Sequence, residues 1–243
     1  MTQDDARVEV HEDAAALSTA VAGELLSRIA DLQAAGDVPH VVLTGGTIAE
    51  KIHHEITRLA PESGVDWGAV ELWFGDERFV APDSPDRNVA QARAAFIDAV
   101  GVPPHRVHEM ASTADAADVE EGARAYEAEL EQHGPEVFDI LMLGAGPDGH
   151  IASLFPGFAQ LDVSDRAAVG VTGSPKPPPE RISLTYPRLN RSASVWFLVS
   201  GSGKADAVAA ALGGRDLHEI PASGVTGRDE TIWFLDRESA SGL

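Results

Sequence analysis

One fourteen-residue segment concentrates the side chains that are able to do acid–base chemistry. It runs from Gly144 to Gly157, reads GAGPDGHIASLFPG, and directly follows an apolar run from Phe138 to Leu143. The apolar run predicts a buried strand, and the glycines and proline after it predict a tight turn. Such a turn places one carboxylate and one imidazole at the carboxyl end of a strand, where open α/β sheets bind small molecules.

His150 is the candidate general base of this segment. The ordinary pKa of an imidazole suits proton transfer near neutral pH. Asp148 precedes it by two residues and is placed to orient the ring or to stabilise its protonated form. The structural alternative is that His150 caps the next turn while Asp148 forms an Asx turn. The glycine cluster and the strand-end position favour catalysis.

The same segment contains the pattern G-x-G-x-x-G at Gly144, Gly146 and Gly149, which is also found in dinucleotide-binding folds. Three features argue against a nucleotide. The motif lies mid-chain, and Pro147 and Asp148 would bring a negative charge against a pyrophosphate. In addition, no strand ending in an acidic residue follows about twenty residues later, as that fingerprint requires. We therefore predict neither NAD nor any other cofactor, and no metal.

A second strand-end loop has the composition of an anion site. Thr44, Gly45, Gly46 and Thr47 lie between a predicted strand and a predicted helix. The glycines let backbone N–H groups approach an anion, and the helix N-terminus adds a partial positive charge. Thr47 is predicted to cap that helix. The alternative is an ordinary capped turn without a ligand.

A third polar cluster, Gly75 to Arg78, also follows a predicted strand, and the pair Arg87-Asn88 closes the loop after it. Adjacent opposite charges are common in solvated turns. However, parallel strands bring their carboxyl ends to one edge of a sheet, so three such loops at three strand ends indicate a shared site.

Lysine is scarce in this chain, which has only Lys51, Lys176 and Lys204. Lys176 and Arg181 flank a proline stretch that limits the entropy lost on fixing them, and an arginine can grip phosphate with two hydrogen bonds. Lys204 opens a predicted helix, where a cation opposes the helix dipole. These positions predict an anionic ligand. The alternative for Lys176 and Arg181 is that they lie in an exposed linker.

Strand-like runs alternate with helical patterns along the chain, which predicts an α/β fold with a mainly parallel, Rossmann-like sheet and helices on both faces. We expect one domain over residues 1–243, with 173–180 as a stiff loop of the site. The predicted strands are 7–10, 38–43, 70–74, 107–110, 137–143, 167–172, 181–185, 195–200 and 231–235. The predicted helices are 13–35, 47–60, 88–100, 115–133 and 204–212.

The composition excludes several classes of partner. A net charge of −21 argues against nucleic acid and anionic membranes. No apolar stretch approaches the length of a membrane span, and no secretory signal is visible. With no cysteine, there is neither a disulfide framework nor thiolate chemistry. We expect a cytoplasmic protein that is a monomer or a weak homo-oligomer.

Taken together, these motifs resemble those of the 6-phosphogluconolactonase family. The resemblance is carried by LTGGT at 43–47, GDERFV at 75–80 with Arg87-Asn88, the segment from Gly144 to Gly157, PPPERISLTYPRLN at 177–190 and SGSGK at 200–204. The chain departs from the family at Thr44, where serine is common, and at Ile48-Ala49, where a Ser/Thr-Pro pair is common.

The resemblance implies the fold of glucosamine-6-phosphate deaminase and, more distantly, of ribose-5-phosphate isomerase. It implies metal-free hydrolysis of 6-phospho-D-glucono-1,5-lactone to 6-phospho-D-gluconate in the oxidative pentose phosphate pathway. His150 would activate water, with Asp148 and Arg78 as its supporting polar groups. The substrate, chiefly its phosphate, would be bound by Gly45, Gly46, Thr47, Arg181 and Lys204, with Lys176 as a further contact.

Two other functions stay open. The deaminase shares the DGHIA core but continues Phe-Asn-Glu-Pro, whereas this chain has Phe155 at the position of the glutamate, and phenylalanine transfers no proton. That difference favours the lactonase over a deaminase or isomerase. A silent sugar-phosphate sensor would need a DNA-binding module, for which no basic patch is available.

Overall fold

The computed structural model describes residues 3–243, and the main sheet within them has six strands, all parallel. Their order across the sheet is β1-β9-β8-β5-β2-β3. The strands are β1 (Arg7–His11), β2 (His40–Leu43), β3 (Glu71–Phe74), β5 (Phe138–Gly144), β8 (Ser192–Val199) and β9 (Glu230–Asp236). This arrangement confirms the predicted α/β fold with a mainly parallel sheet.

A second, three-stranded antiparallel sheet was not predicted. It has the order β4-β7-β6, with β4 at Asp76–Arg78, β6 at Ala168–Val171 and β7 at Arg181–Leu184. The prediction of a loop at 75–78 was therefore wrong for its last three residues, because β4 pairs with β7 about a hundred residues later. The strand predicted at 107–110 is also wrong, since only Val107 forms a bridge, to Leu72.

Helices cover both faces of the main sheet, as predicted. They are α1 (Ala14–Ala35), α2 (Thr47–Leu59), α3 (Asn88–Ala92), α4 (Asp98–Val100), α5 (Val119–His133), α6 (Tyr186–Leu189) and α7 (Ala205–Leu212), with a π-helical turn at Arg93–Ile97 between α3 and α4. Among residues 3–243, no helix is both long enough and apolar enough to cross a bilayer.

Two apolar cores lie on opposite faces of the sheet, because successive strand side chains point to opposite sides. In β5, Leu141 and Leu143 belong to the core with α5 and α7, while Ile140 and Met142 belong to the core with α1 and α2. Such continuously apolar strands are typical of parallel sheets buried on both faces. The polar loops at their ends are therefore held on a rigid support.

Candidate active site

A cleft of about 440 Å³ opens at the carboxyl ends of the parallel strands, where β2, β3, β5 and β8 run into polar loops. Eight of the nine residues predicted for the site line it, and the ninth, Asp148, contacts one of them. The eight are Gly45, Gly46, Thr47, Arg78, His150, Lys176, Arg181 and Lys204. The topology therefore brings together loops that are far apart in sequence.

His150 and Asp148 form a hydrogen-bonded pair, with 2.5 Å between Nδ1 of the imidazole and Oδ1 of the carboxylate. The turn closes locally, because the Gly149 N–H donates to the Gly146 carbonyl at 3.0 Å and the Gly146 N–H to the His150 carbonyl at 2.9 Å. A Cβ on Gly146 would lie 2.1 Å from the His150 ring and 2.5 Å from Asp148 Oδ1. Gly146 is thus needed so that the pair can fold back over the turn.

The electrostatics of the pair favour an ionised carboxylate and a basic Nε2. Burial raises the pKa of Asp148, but the hydrogen bond and charge of His150 and the charge of Lys176 outweigh it and leave the pKa at about 2. With Asp148 accepting the Nδ1–H, the lone pair of the neutral imidazole lies on Nε2. Within residues 3–243, nothing hydrogen-bonds to Nε2.

Phe155 forms one wall of this part of the site. It is almost fully buried, and its ring centroid lies 4.6 Å from that of His150. The guanidinium carbon of Arg181 is 5.8 Å from the same phenyl ring. An apolar ring therefore supports the imidazole at the position where the deaminase motif has a glutamate.

Arg78 lines the cleft and is bonded to the loop that follows β4. Its guanidinium donates to Asn88 Oδ1 and to the Asp86 carbonyl, and its Nε is buried without a partner among the described residues. A Cβ on Gly45 would lie 1.9 Å from Asn88 Oδ1, so this glycine is required by the close packing of the amide.

A buried carboxylate holds the segment that presents Arg78 and Asn88. Glu77 accepts backbone N–H groups from Arg78, Asn88 and Val89 at 2.7 to 3.0 Å. Burial raises the pKa of Glu77, while these donors and the buried Arg87 nearby, at 3.7 Å, oppose that effect. The shape of the loop after β4 thus depends on one buried carboxylate whose hydrogen bonds are satisfied.

The glycine loop leads straight into α2. Gly46 has a φ of +98° and is the residue that caps the helix, so the prediction that Thr47 is the cap was wrong: Thr47 is the first helical residue. Thr44 accepts a hydrogen bond from the Gly144 N–H at 3.3 Å, which joins this loop to the end of β5. The N-terminus of α2 therefore faces the cleft.

The cations of the cleft differ in how they are held. Arg181 donates to the carbonyls of Lys176, Pro177 and Pro178 at 3.1 to 3.2 Å, so much of its guanidinium fastens the proline loop. Lys204 is half-buried and has no carboxylate within 4 Å among the described residues. Burial lowers its pKa, and the charge of Lys176 adds to that effect.

Sequence reasoning did not assign Asn88, Asp76 or Lys51 to the site, yet all three line the cleft. The Asn88 amide donates to the Asp76 carbonyl at 2.8 Å, and Ser153 donates to Asp76 Oδ2 at 2.7 Å. The scarcity of lysine was a usable signal for Lys51. For Asp76 and Asn88 the signal was their place in strand-end loops. In the described part of the chain, no group of three or more His, Asp or Glu side chains is arranged to hold a metal.

Comparison with known proteins identifies the family of this chain. A family described as glucosamine-6-phosphate isomerases/6-phosphogluconolactonase matches residues 12–233. A 6-phosphogluconolactonase of Streptomyces coelicolor is 42% identical over 249 residues, covering 99% of this chain and 95% of the relative. One of Mycobacterium tuberculosis is 42% identical over 243 residues, covering 97% and 98%. This chain belongs to that family.

Solved structures of the family share the whole architecture. The 6-phosphogluconolactonase of Thermotoga maritima, 25% identical, superposes with a TM-score of 0.84 and covers 96% of this chain and 100% of its own. A monomeric glucosamine-6-phosphate deaminase, 23% identical, superposes with a TM-score of 0.82 over 98% of this chain. The fold is thus shared with a 6-phosphogluconolactonase and with a glucosamine-6-phosphate deaminase.

Proposed function

We propose that this family member hydrolyses 6-phospho-D-glucono-1,5-lactone to 6-phospho-D-gluconate in the oxidative pentose phosphate pathway, with His150 as the base that activates water. Full-length relatives named 6-phosphogluconolactonase confirm the predicted enzyme class, a lactone hydrolase. The observation that carries the mechanism is the pair itself: Asp148 holds Nδ1 of His150 and leaves Nε2 without a partner in the cleft.

The proposed reaction has two steps at C1 of the lactone. Nε2 of His150 takes a proton from water as its oxygen bonds to C1, and the carbonyl π pair moves onto the carbonyl oxygen. The oxyanion then collapses, the bond from C1 to the ring oxygen breaks, and protonated His150 returns its proton to that oxygen. The negative Asp148 stabilises the imidazolium between the steps, as carboxylate partners of catalytic histidines do.

We assign the phosphate to the glycine loop of the same cleft. There the N-terminus of the thirteen-residue α2 offers N–H groups and a partial positive charge. Lys204 and the Arg78 guanidinium add cations beside it. In a chain with a net charge of −21, such local cations must hold the anion against the field of the whole protein.

Deamination or isomerisation of glucosamine 6-phosphate is the second candidate, since the fold is shared with a deaminase. Phe155 counts against it, because this nearly fully buried ring occupies the position of the proton-transferring glutamate. A cytoplasmic location and a monomeric or weakly associating state stay predictions from the sequence.

A coupled assay decides between these functions. The lactone is generated in situ by glucose-6-phosphate dehydrogenase, and the rate of gluconate formation is followed above the spontaneous hydrolysis. Glucosamine 6-phosphate is the control substrate, with ammonia release as the readout. We expect lactone hydrolysis and no ammonia. Ammonia release without lactone hydrolysis would overturn the proposal.

A further inference from the structure

Lys176 is the cation nearest to the catalytic pair. Its Nζ lies 3.5 Å from Nδ1 of His150 and 3.9 Å from Oδ1 of Asp148. It reaches this position from a loop between β6 and β7, 26 residues after the histidine. None of the other cations that line the cleft forms an ion pair with Asp148.

Three sets of hydrogen bonds fix the backbone around Lys176. Ser174 Oγ donates to the Lys176 carbonyl at 3.0 Å, and the Lys176 N–H donates to Ser174 Oγ at 3.3 Å. The Ser174 N–H donates to the Pro179 carbonyl at 3.0 Å. Arg181 binds three carbonyls of the same loop. The main chain that presents the ammonium group beside His150 is therefore fixed.

We propose that Lys176 acts at the C1 end of the substrate, where it neutralises the oxyanion during hydrolysis and then the carboxylate of the product, and that it does not bind the phosphate. This inference rests on the proposed function, because the position of C1 follows from His150 acting as the base. It revises the expectation that Lys176 is a phosphate contact.

Charge and connectivity both support this assignment. A phosphate dianion bound at Lys176 would lie close to the ionised carboxylate of Asp148, which repels it. The ring oxygen, C5, C6 and the ester oxygen separate the phosphorus from C1, and C1 must reach His150. An oxyanion on C1 carries a single charge that exists only after attack, so an ammonium here stabilises the transition state more than the bound lactone.

Lys176 neither gains nor loses a proton in this mechanism. The water proton goes to His150 and returns to the ring oxygen, as described above. The ammonium keeps all its protons and acts by charge and by hydrogen bonding to the former carbonyl oxygen. After the ring opens, the carboxylic acid loses its proton to solvent, and the carboxylate takes the place of the oxyanion beside Lys176.

Two ligands that differ at C1 test the assignment by calorimetry. 6-Phosphogluconate carries phosphate and carboxylate, whereas D-glucitol 6-phosphate carries only phosphate. Because a charge-assisted hydrogen bond is lost, we expect Lys176→Gln to weaken the gluconate by about tenfold or more. D-Glucitol 6-phosphate should bind the Lys176→Gln variant as tightly as it binds the wild type. Lys204→Gln, the matched control, should weaken both ligands by the same factor.

Kinetics on the fresh lactone give the second readout. Lys176→Gln should lower kcat with little change in KM, and Lys176→Arg should restore part of it. The side chain of Lys176 is 42% exposed, so an unchanged Tm is expected. Equal weakening of the two ligands by Lys176→Gln would assign Lys176 to the phosphate and overturn the inference, as would no weakening of either. A wild type that binds both ligands but does not hydrolyse the lactone would overturn only the proposed function.

Discussion

His150 and His108 both have carboxylate partners, and they lie at opposite ends of the strands of the main sheet. His150 follows the carboxyl end of β5 and binds Asp148 through one nitrogen only. His108 lies near the amino end of β3, with Nε2 at 3.0 Å from Glu71 and Nδ1 at 2.7 Å from Glu129. Its ring stacks on Trp73 at a centroid distance of 3.7 Å.

The difference shows what makes an imidazole available for catalysis. Both nitrogens of His108 are occupied and its side chain is 5% exposed, so it joins three elements and can reach no ligand. The side chain of His150 is 15% exposed and keeps Nε2 without a partner among the described residues. A general base needs one nitrogen held and the other accessible, a condition that His150 meets and His108 does not.

The largest expected effect on the reaction rate comes from replacing His150. Replacing a general base typically costs about 10²–10⁴-fold in rate, so His150→Gln should lower kcat by that factor with an unchanged Tm. The measurement is the coupled assay on freshly generated lactone. A variant that kept near-wild-type turnover would show that His150 is not the base.

A change beside the pair should have the next largest effect. The Cβ in Gly146→Ala would lie 2.1 Å from the His150 ring, so the imidazole must move. A displacement of this kind can cost about 10²-fold in rate. Gly23→Ala is the matched control, since no atom lies within 4 Å of its new Cβ in the middle of α1. The prediction fails if the two variants have equal kcat/KM.

The structural histidine should show the opposite pattern. His108→Gln leaves at least one glutamate without its partner and removes the stacking on Trp73. Since the site is buried, we expect the free energy of unfolding to fall by about 1–3 kcal/mol with kcat unchanged. Urea denaturation and the coupled assay measure the two quantities. A loss of kcat as large as that of His150→Gln would erase the distinction between the two histidines.

The smallest effect concerns the pH dependence of stability. The pKa of Asp148 is lowered to about 2, so its ionised form stabilises the folded state above the ordinary carboxyl pKa, and that contribution is lost as the pH falls through about 2. Because the side chain is partly exposed, about 1 kcal/mol or less is expected.

Urea denaturation of the wild type and of Asp148→Asn tests this sign. The difference between their unfolding free energies should grow from about pH 2 to about pH 4. A difference that stayed constant between pH 2 and pH 4 would contradict the assignment.

Much of the architecture was predictable because its signals are local. The apolar run before Gly144 and the turn after it predicted β5 and the catalytic loop, and both are present at 138–150. The second sheet was not predictable, because β4 has only three residues and its partner β7 begins a hundred residues later. Short polar strands carry no periodicity by which they can be recognised.

The sequence by itself placed Asp148 and His150 in one glycine turn, and the structure adds that the two side chains hydrogen-bond. It also predicted which loops reach the cleft, because parallel strands align their carboxyl ends. Only the tertiary structure decided which structural role each cation of the cleft has. Arg181 fastens a loop, and Lys176 approaches the pair across 26 residues. The reason is physical: such distances depend on the packing of whole elements, which no short segment encodes.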